Sequence, residues 1–512
     1  MIRFRLVASI IGYLSMGFMH LMYIPLIVSL IKQENNSTLA FLITITICFV
    51  FGRTATYLDK KAEIDDLNRM ESLAVVVFGW LMLAIFGAVP YLFFNFSFID
   101  SLFESMSGFT TTGSTILSDF NKLNSSMFFY RSFTQWIGGL GILVIFVALM
   151  PQLAIAGRHL FFAEVSAESK DKLSPRIRDT AGQLLIWYII LTLLCTVGLW
   201  FSGINFLESA SNAFATLAAA GFSPNSESIA GYRNPAAEWV IIVFMFLAGA
   251  NFVLQVKTVK SFIAGVKNTQ NSSNKKAKNR TTLLDSIKGF LLNTELIAYV
   301  FIIIVAAVII SLVLLQRYYP AGTSPIYVLR QSMFQCLSIL TTTGSASYDY
   351  EQWPLAAKGI LVFLMFIGGC SGSAGGGMKV IRIVILAKYF WKILLKNIYP
   401  EAVIRIKLDN RTLRENDIHP ILRFFIFYIL VFFIGGTIIS IHESNFVVGY
   451  SGAIACLGNI GPGFETIGPM GNFFSWQPLS KLIAIFLMWA GRLEVIALMI
   501  FFHPEVWRGS RW

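Results

Sequence analysis

Charge is scarce in this chain. Only 13% of its 512 residues are Asp, Glu, Lys or Arg, where a soluble domain carries about a quarter. So little charge cannot clothe a water-facing surface of this size, which excludes a soluble globular fold. Cysteine is sparse as well: Cys48, Cys195, Cys336, Cys370 and Cys456 lie scattered through apolar stretches. Their spacing offers neither a disulfide framework nor a metal site, and they read as small buried thiols. His20, His159, His419, His442 and His503 show no ligand spacing either. A Walker-type phosphate loop is missing, so any nucleotide control has to come from another chain.

What the chain does have is apolar length. Hydrophobic residues make up 56% of it. Runs such as Leu6 to Ile31, Leu39 to Phe51, Leu73 to Phe94 and Ile137 to Met150 are of the order needed to cross a hydrocarbon core. The first run follows Arg3 and Arg5 but outlasts a signal peptide and lacks a cleavage site, so it reads as a retained helix. The net charge of +12 is a matter of topology. With the N-terminus in the cytoplasm, segments 1–5, 52–71, 151–180, 257–288, 379–418 and 503–512 are internal and hold 30 of the 40 Lys and Arg. That bias orients the chain with both termini cytoplasmic and argues against a nucleic-acid partner. Arg131, Arg330, Lys358 and Lys481 fall in segments read as external.

One pattern occurs four times: a short apolar segment, then a tip of small residues, then another long apolar run. The tips are Thr110-Thr111-Thr112-Gly113, Ala218-Ala219-Ala220-Gly221, Thr341-Thr342-Thr343-Gly344 and Gly458-Asn459-Ile460-Gly461. Their last glycines stand 108, 123 and 117 residues apart. The segments before them, Ile99 to Phe109, Phe206 to Leu217, Ile326 to Leu340 and Phe446 to Leu457, are too short to span a bilayer and suit half-helices entering from the outer face. The expected fold is an all-α polytopic membrane protein. Four pseudo-repeated helix–pore loop–helix units (72–150, 181–260, 283–390 and 419–502) surround a central pore, beside an accessory N-terminal two-helix hairpin (1–57). The polar stretch 268–276 reads as a mobile cytoplasmic linker.

Irregular backbone at membrane depth survives only where protein or water covers it. A selectivity filter uses that irregularity, turning carbonyl oxygens toward an axis in place of an ion's hydration shell. The candidate ion-binding residues are therefore Thr111, Thr112, Gly113, Ala219, Ala220, Gly221, Thr342, Thr343, Gly344, Asn459, Ile460 and Gly461. None of the tips carries an ionised side chain, which speaks against a divalent-cation site. A single Thr/Gly turn would be a mere break between helices; four at a similar pitch favour a pore.

A second feature interrupts the third unit: Gly368, Gly369, Cys370, Ser371, Gly372, Ser373, Ala374, Gly375, Gly376 and Gly377, followed by Lys379. Six glycines in ten residues cannot sustain a helix, since each costs about 1 kcal/mol relative to alanine. A break beneath the filter could obstruct or clear an ion path; a passive kink for close helix packing is the alternative. Arg492, inside the last apolar run, could hydrogen-bond that break or pair with Glu494. Glu104 and Glu208 read as helix-dipole partners near the starts of pore segments. Asp119, Asp349 and Glu465 could draw cations to the mouth or simply be solvated.

The repeated units, the two Thr-Thr-Thr-Gly tips, the loop Gly458-Asn459-Ile460-Gly461-Pro462-Gly463 and the glycine-rich break together resemble the Trk/Ktr/HKT superfamily of potassium transporters over nearly the whole chain. The N-terminal hairpin brings it nearer to the TrkH/TrkG type than to KtrB. The resemblance implies potassium uptake across a bacterial cytoplasmic membrane, with potassium as the transported ligand and no covalent cofactor. It also implies that 368–377 is an intramembrane gate, with Arg492 at the constriction. A homodimer on cytosolic TrkA-type nucleotide-binding subunits is implied too, with 151–180 and 379–418 as docking surfaces. Relatives with serine at the first filter glycine favour sodium, and Gly113 stands there in this chain. A weakly selective or sodium-permeable transporter is the competing reading. A membrane-embedded enzyme would need a polar catalytic cluster, for which the sequence has only scattered candidates.

Overall fold

The computed structural model describes residues 2–59, 67–148, 173–270, 292–409 and 411–507. Part of the expected linker (271–276), most of the first expected docking loop (151–172), His159 and residues 508–512 lie outside the described residues. The chain is mostly helical, and six described helices are long and apolar enough to cross a membrane, or up to eight if two sharply bent pairs each count as one span. The described strands are a small antiparallel hairpin, Ile406–Leu408 with Arg411–Leu413.

Four units share one plan. Each has an outer helix (Arg69–Leu92, Leu173–Phe201, Thr294–Arg317, Glu415–Glu443), then a short pore helix (Phe98–Phe109, Phe206–Leu217, Pro325–Leu340, Phe446–Leu457). An inner helix completes each unit, beginning at Ser125, Pro235, Leu355 and Pro478. The outer helices turn large apolar side chains such as Leu193, Phe301, Ile304 and Phe433 outward, exposed, as a lipid-facing wall requires. The pore helices are buried over most of their length. Polar residues start them: Ser97, Asn205 and Asn445 accept backbone N–H groups as N-caps, and Pro325 opens the third.

Helices Phe4–Leu21 and Tyr23–Ile31 run on as one 28-residue span and pack with Asn35–Thr56 as a hairpin against the first unit. Phe18 meets the Phe109 ring edge-on at 5.5 Å, and Phe41 meets Tyr130 at 5.4 Å. The Arg3 guanidinium grips Glu71, which also completes a capping box with Asn68.

Three of the four inner helices break. The first, Ser125–Ala148, runs unbroken. The second bends by 100° between Gly249 and Phe252, and the fourth by 109° between Arg492 and Ile496. The third is interrupted from Phe366 to Lys379. The sequence pattern announces only the third break. The second had a legible signal, because Asn251 follows Gly249-Ala250 and caps the next helix by accepting Leu254 N at 3.1 Å. Gln255 Nε2 then returns to Leu247 O (2.7 Å), a carbonyl of the last turn before the bend.

Candidate functional site

Every pore helix ends in the same way. Thr111, Ala219, Thr342 and Asn459 all adopt left-handed backbone, with φ of +55°, +53°, +60° and +54°. The next amide of each bonds back five residues: Thr112 to Ser107 O, Ala220 to Ala215 O, Thr343 to Ser338 O and Ile460 to Ala455 O, all at 2.8–2.9 Å. This is the Schellman cap that normally calls for glycine. Here non-glycine residues occupy it four times, at a cost of roughly 1–2 kcal/mol for each threonine and the alanine and less for the asparagine. Two of them have side chains that explain their presence. The Thr342 hydroxyl accepts Gly376 N at 2.7 Å, and Asn459 Nδ2 donates to Thr112 Oγ1 (3.0 Å) and Met488 O (2.9 Å).

The tips meet in a closed ring. A methyl group on Gly113 would lie 2.8 Å from Gly221 N; on Gly221, 2.7 Å from Thr343 O; on Gly461, 2.8 Å from Thr112 O. On Gly344 it would overlap the Ile460 carbonyl oxygen. Loop one therefore touches two, two touches three, three touches four, and four returns to one. Carbonyl oxygens of Thr112, Thr343 and Ile460 crowd the seams, and Ser114 Oγ donates to Gly461 O at 2.8 Å across the last of them. Gly113, Gly221, Gly344 and Gly461 all open onto one cavity of about 140 Å³. Asp119, Asp349 and Glu465 do not line it. Asp119 and Asp349 instead accept nearby amides (Asn121 N, 3.0 Å; Glu351 N, 3.1 Å), and Glu465 accepts Asn445 Nδ2 at 2.6 Å.

The glycine-rich break lies directly against these tips. Besides Gly376 on Thr342, a methyl group on Gly375 would stand 2.8 Å from Thr341 O, and one on Gly376 2.7 Å from Gly458 O. Cys370 N donates to Gly249 O (2.8 Å), and Phe252 N to Gly372 O (3.1 Å), so the break leans on the bend of the second inner helix. Buried Arg492 donates through Nη1 to Ala374 O and through Nη2 to Gly138 O, each at 3.0 Å. Lys379 Nζ donates to Gly375 O. Glu494 accepts from Arg382 Nη2 at 2.9 Å. Glu295, buried at the head of the third outer helix, accepts Ser371 N (2.6 Å) and Ile381 N (3.2 Å), tying together the two sides of the break.

Glu104 differs from its expected role. It sits in the middle of its helix, where Asp100 holds the first turn, and is buried with Arg131. Arg131 Nη2 reaches Glu104 Oε1 at 2.6 Å, both side chains being 2% exposed. Glu104 also accepts Thr115 Oγ1 (3.0 Å) and Ile116 N (2.9 Å), just beyond the first tip. Arg330, Lys358 and Lys481, read from sequence as external cations, are likewise paired, with Glu238, Glu351 and Asp100. Glu208 keeps its place in the first turn of its helix. Glu104→Ala leaves Arg131 a buried, unpaired cation, at an expected cost of about 3–5 kcal/mol. A clear drop in the thermal unfolding midpoint of detergent-purified protein is the measurement; an unchanged midpoint contradicts the pairing.

A family profile described as TrkH, cation transport protein, matches residues 37–509. The Trk system potassium uptake protein TrkH of Escherichia coli K12 is 34% identical over 509 residues, 99% of each chain. The Trk system potassium uptake protein TrkG of the same strain is 30% identical over 515 residues, covering 98% of this chain and 99% of that one. Among solved structures, the crystal structure of the potassium transporter TrkH from Vibrio parahaemolyticus superposes with a TM-score of 0.85 at 30% identity, covering 99% of this chain and 100% of that one.

Proposed function

Because the chain belongs to the TrkH family of cation transport proteins, we propose that it takes up potassium across a bacterial cytoplasmic membrane, between the four tips. The closed ring of tip loops is the observation that carries this reading. Main-chain oxygens concentrated at its seams can replace water around a monovalent cation. The four pore helices end at that ring, so their negative C-terminal ends favour a positive ion there. With no carboxylate among the described residues lining the cavity at the tips, a dehydrating site for a divalent ion lacks its usual ligands.

Residues 368–377 serve as the gate beneath the filter, with Lys379 and Arg492 holding its carbonyls and opposing a cation's passage. Inward flow draws on the membrane potential, about 2.3 kcal/mol per charge per 100 mV. The chain works as a homodimer with cytosolic TrkA-type nucleotide-binding subunits. They dock on the internal segments around 151–180 and 379–418, and both termini are cytoplasmic. The names of these relatives, all potassium uptake proteins, support a transporter over an enzyme.

Expression in a bacterium that lacks potassium uptake should restore growth at low potassium, more strongly with a cytosolic partner present. In proteoliposomes, potassium should pass in preference to sodium. Equal permeability of the two ions would reject the ion assignment, and absence of any flux with the partner present would reject transport.

A further inference from the structure

The second tip is built differently from the rest. In tip one the hydroxyls of Thr110 and Thr112 meet at 2.7 Å, and in tip three those of Thr341 and Thr343 meet at 2.8 Å. In each pair the first threonine is anchored to its own helix, on Met106 O or Leu337 O, at 2.7 Å. Tip four is held by the Asn459 side chain. Tip two, Ala218-Ala219-Ala220, has no side-chain group able to form such a brace. Its glycine is also the exception: Gly113, Gly344 and Gly461 take positive φ of +85°, +73° and +108°, whereas Gly221 lies outside that region.

The missing support comes from a neighbouring unit. Phe222, immediately after the tip, donates its amide to Gln135 Oε1 at 3.2 Å. The Arg131 guanidinium lies 4.2 Å from the centre of the Phe222 ring, close enough for a cation–π contact. Arg131 and Gln135 stand four residues apart, hence on one face of the first inner helix, and both are buried. Arg131 is itself fixed by Glu104 (Nε to Oε1, 2.9 Å) and by Thr115 Oγ1 (Nη2, 3.0 Å). One face of one helix thus binds the residues that follow tip one, through Thr115, and tip two, through Phe222.

We propose that Gln135 and Arg131 are positioning residues for ion selectivity, an external brace for the one tip whose own side chains can form none. This rests on the potassium-transport reading and extends it, since it puts part of the discrimination in side chains outside the four tips. Gln135 is used only through its oxygen: Nε2 has no partner among the described residues. Gln135→Glu therefore keeps the acceptor in the same shape, while Gln135→Leu removes it at similar size and leaves the Phe222 amide buried without a partner.

The test uses the full chain with its cytosolic partner in proteoliposomes under opposed potassium and sodium gradients. Gln135→Leu should lower the potassium-to-sodium permeability ratio by about tenfold while flux persists, the scale of one lost buried hydrogen bond. Gln135→Glu keeps the acceptor but adds a buried carboxylate, so it serves the exchange readout and not the permeability ratio. Hydrogen exchange at the Phe222 amide, read in purified protein without any ion flux, should speed up in Gln135→Leu and stay slow in Gln135→Glu. A Gln135→Leu protein with wild-type ratio and wild-type exchange overturns the proposal. Faster exchange with an unchanged ratio overturns it too, because the contact is then merely structural. A wild-type protein that passes no potassium rejects the transport reading itself, while the exchange result still reports whether Gln135 holds the loop.

Discussion

Gly344→Ala should lower potassium flux on the order of a hundredfold or more in protein that still inserts, the upper end of what left-handed strain of about 1–3 kcal/mol in a ring loop implies. Gly344 has φ of +73°, which an alanine tolerates poorly, and the new methyl group would overlap the Ile460 carbonyl oxygen. That oxygen has little room to retreat. Ile460 N is bonded to Ala455 O at 2.8 Å, and the preceding Asn459 is tied to Thr112 and Met488. The strain therefore passes into tips four and one instead of dissipating locally. Gly359 makes the control: it lies inside helix Leu355–Met365, and a methyl group there would meet nothing within 4 Å. Gly359→Ala should therefore be neutral or gain about 1 kcal/mol of helix stability. Radioactive rubidium or potassium uptake into proteoliposomes distinguishes the two. Wild-type flux through Gly344→Ala would remove the ring from the ion path.

Arg492→Gln is the second large effect expected, in the opposite direction. Arg492 spans two elements, one arm on Ala374 O in the glycine-rich break and the other on Gly138 O of the unbroken first inner helix. Hydrogen bonds from a charged donor contribute about 1.5–3 kcal/mol each, so weakening both frees the break by roughly tenfold or more in open population. A fixed positive charge beside the proposed gate disappears in the same substitution. Basal potassium conductance without the cytosolic partner should rise, and deletion of 368–377 should raise it further. If neither variant leaks, the break is a packing kink and gating lies elsewhere.

The parts legible in the sequence were those written in neighbouring residues. Apolar runs announce membrane helices because hydropathy is a property of a short window. Four tips announce themselves through small residues at a steady pitch, and the break through its glycines. The role of Glu104 was hidden because its partner Arg131 stands 27 residues away, on a different helix. The left-handed threonines and alanine at the tips were hidden too, since only glycine or asparagine advertises that geometry. Of the four, Asn459 was the visible case. The bend after Gly249 could have been found from its asparagine cap; the one after Arg492 had no comparable signal.

Composition and local pattern thus suffice for a membrane-embedded chain of four similar units with compact, uncharged tips. They say nothing about which carbonyl faces which glycine, which tip leans on a neighbour, or where Arg492 sends its two arms. Those relations join residues that can lie more than a hundred positions apart, as Arg492 and Ala374 do. They exist only once the units close on one another, because hydrogen bonds and steric fit act over a few ångströms in space whatever the separation along the chain.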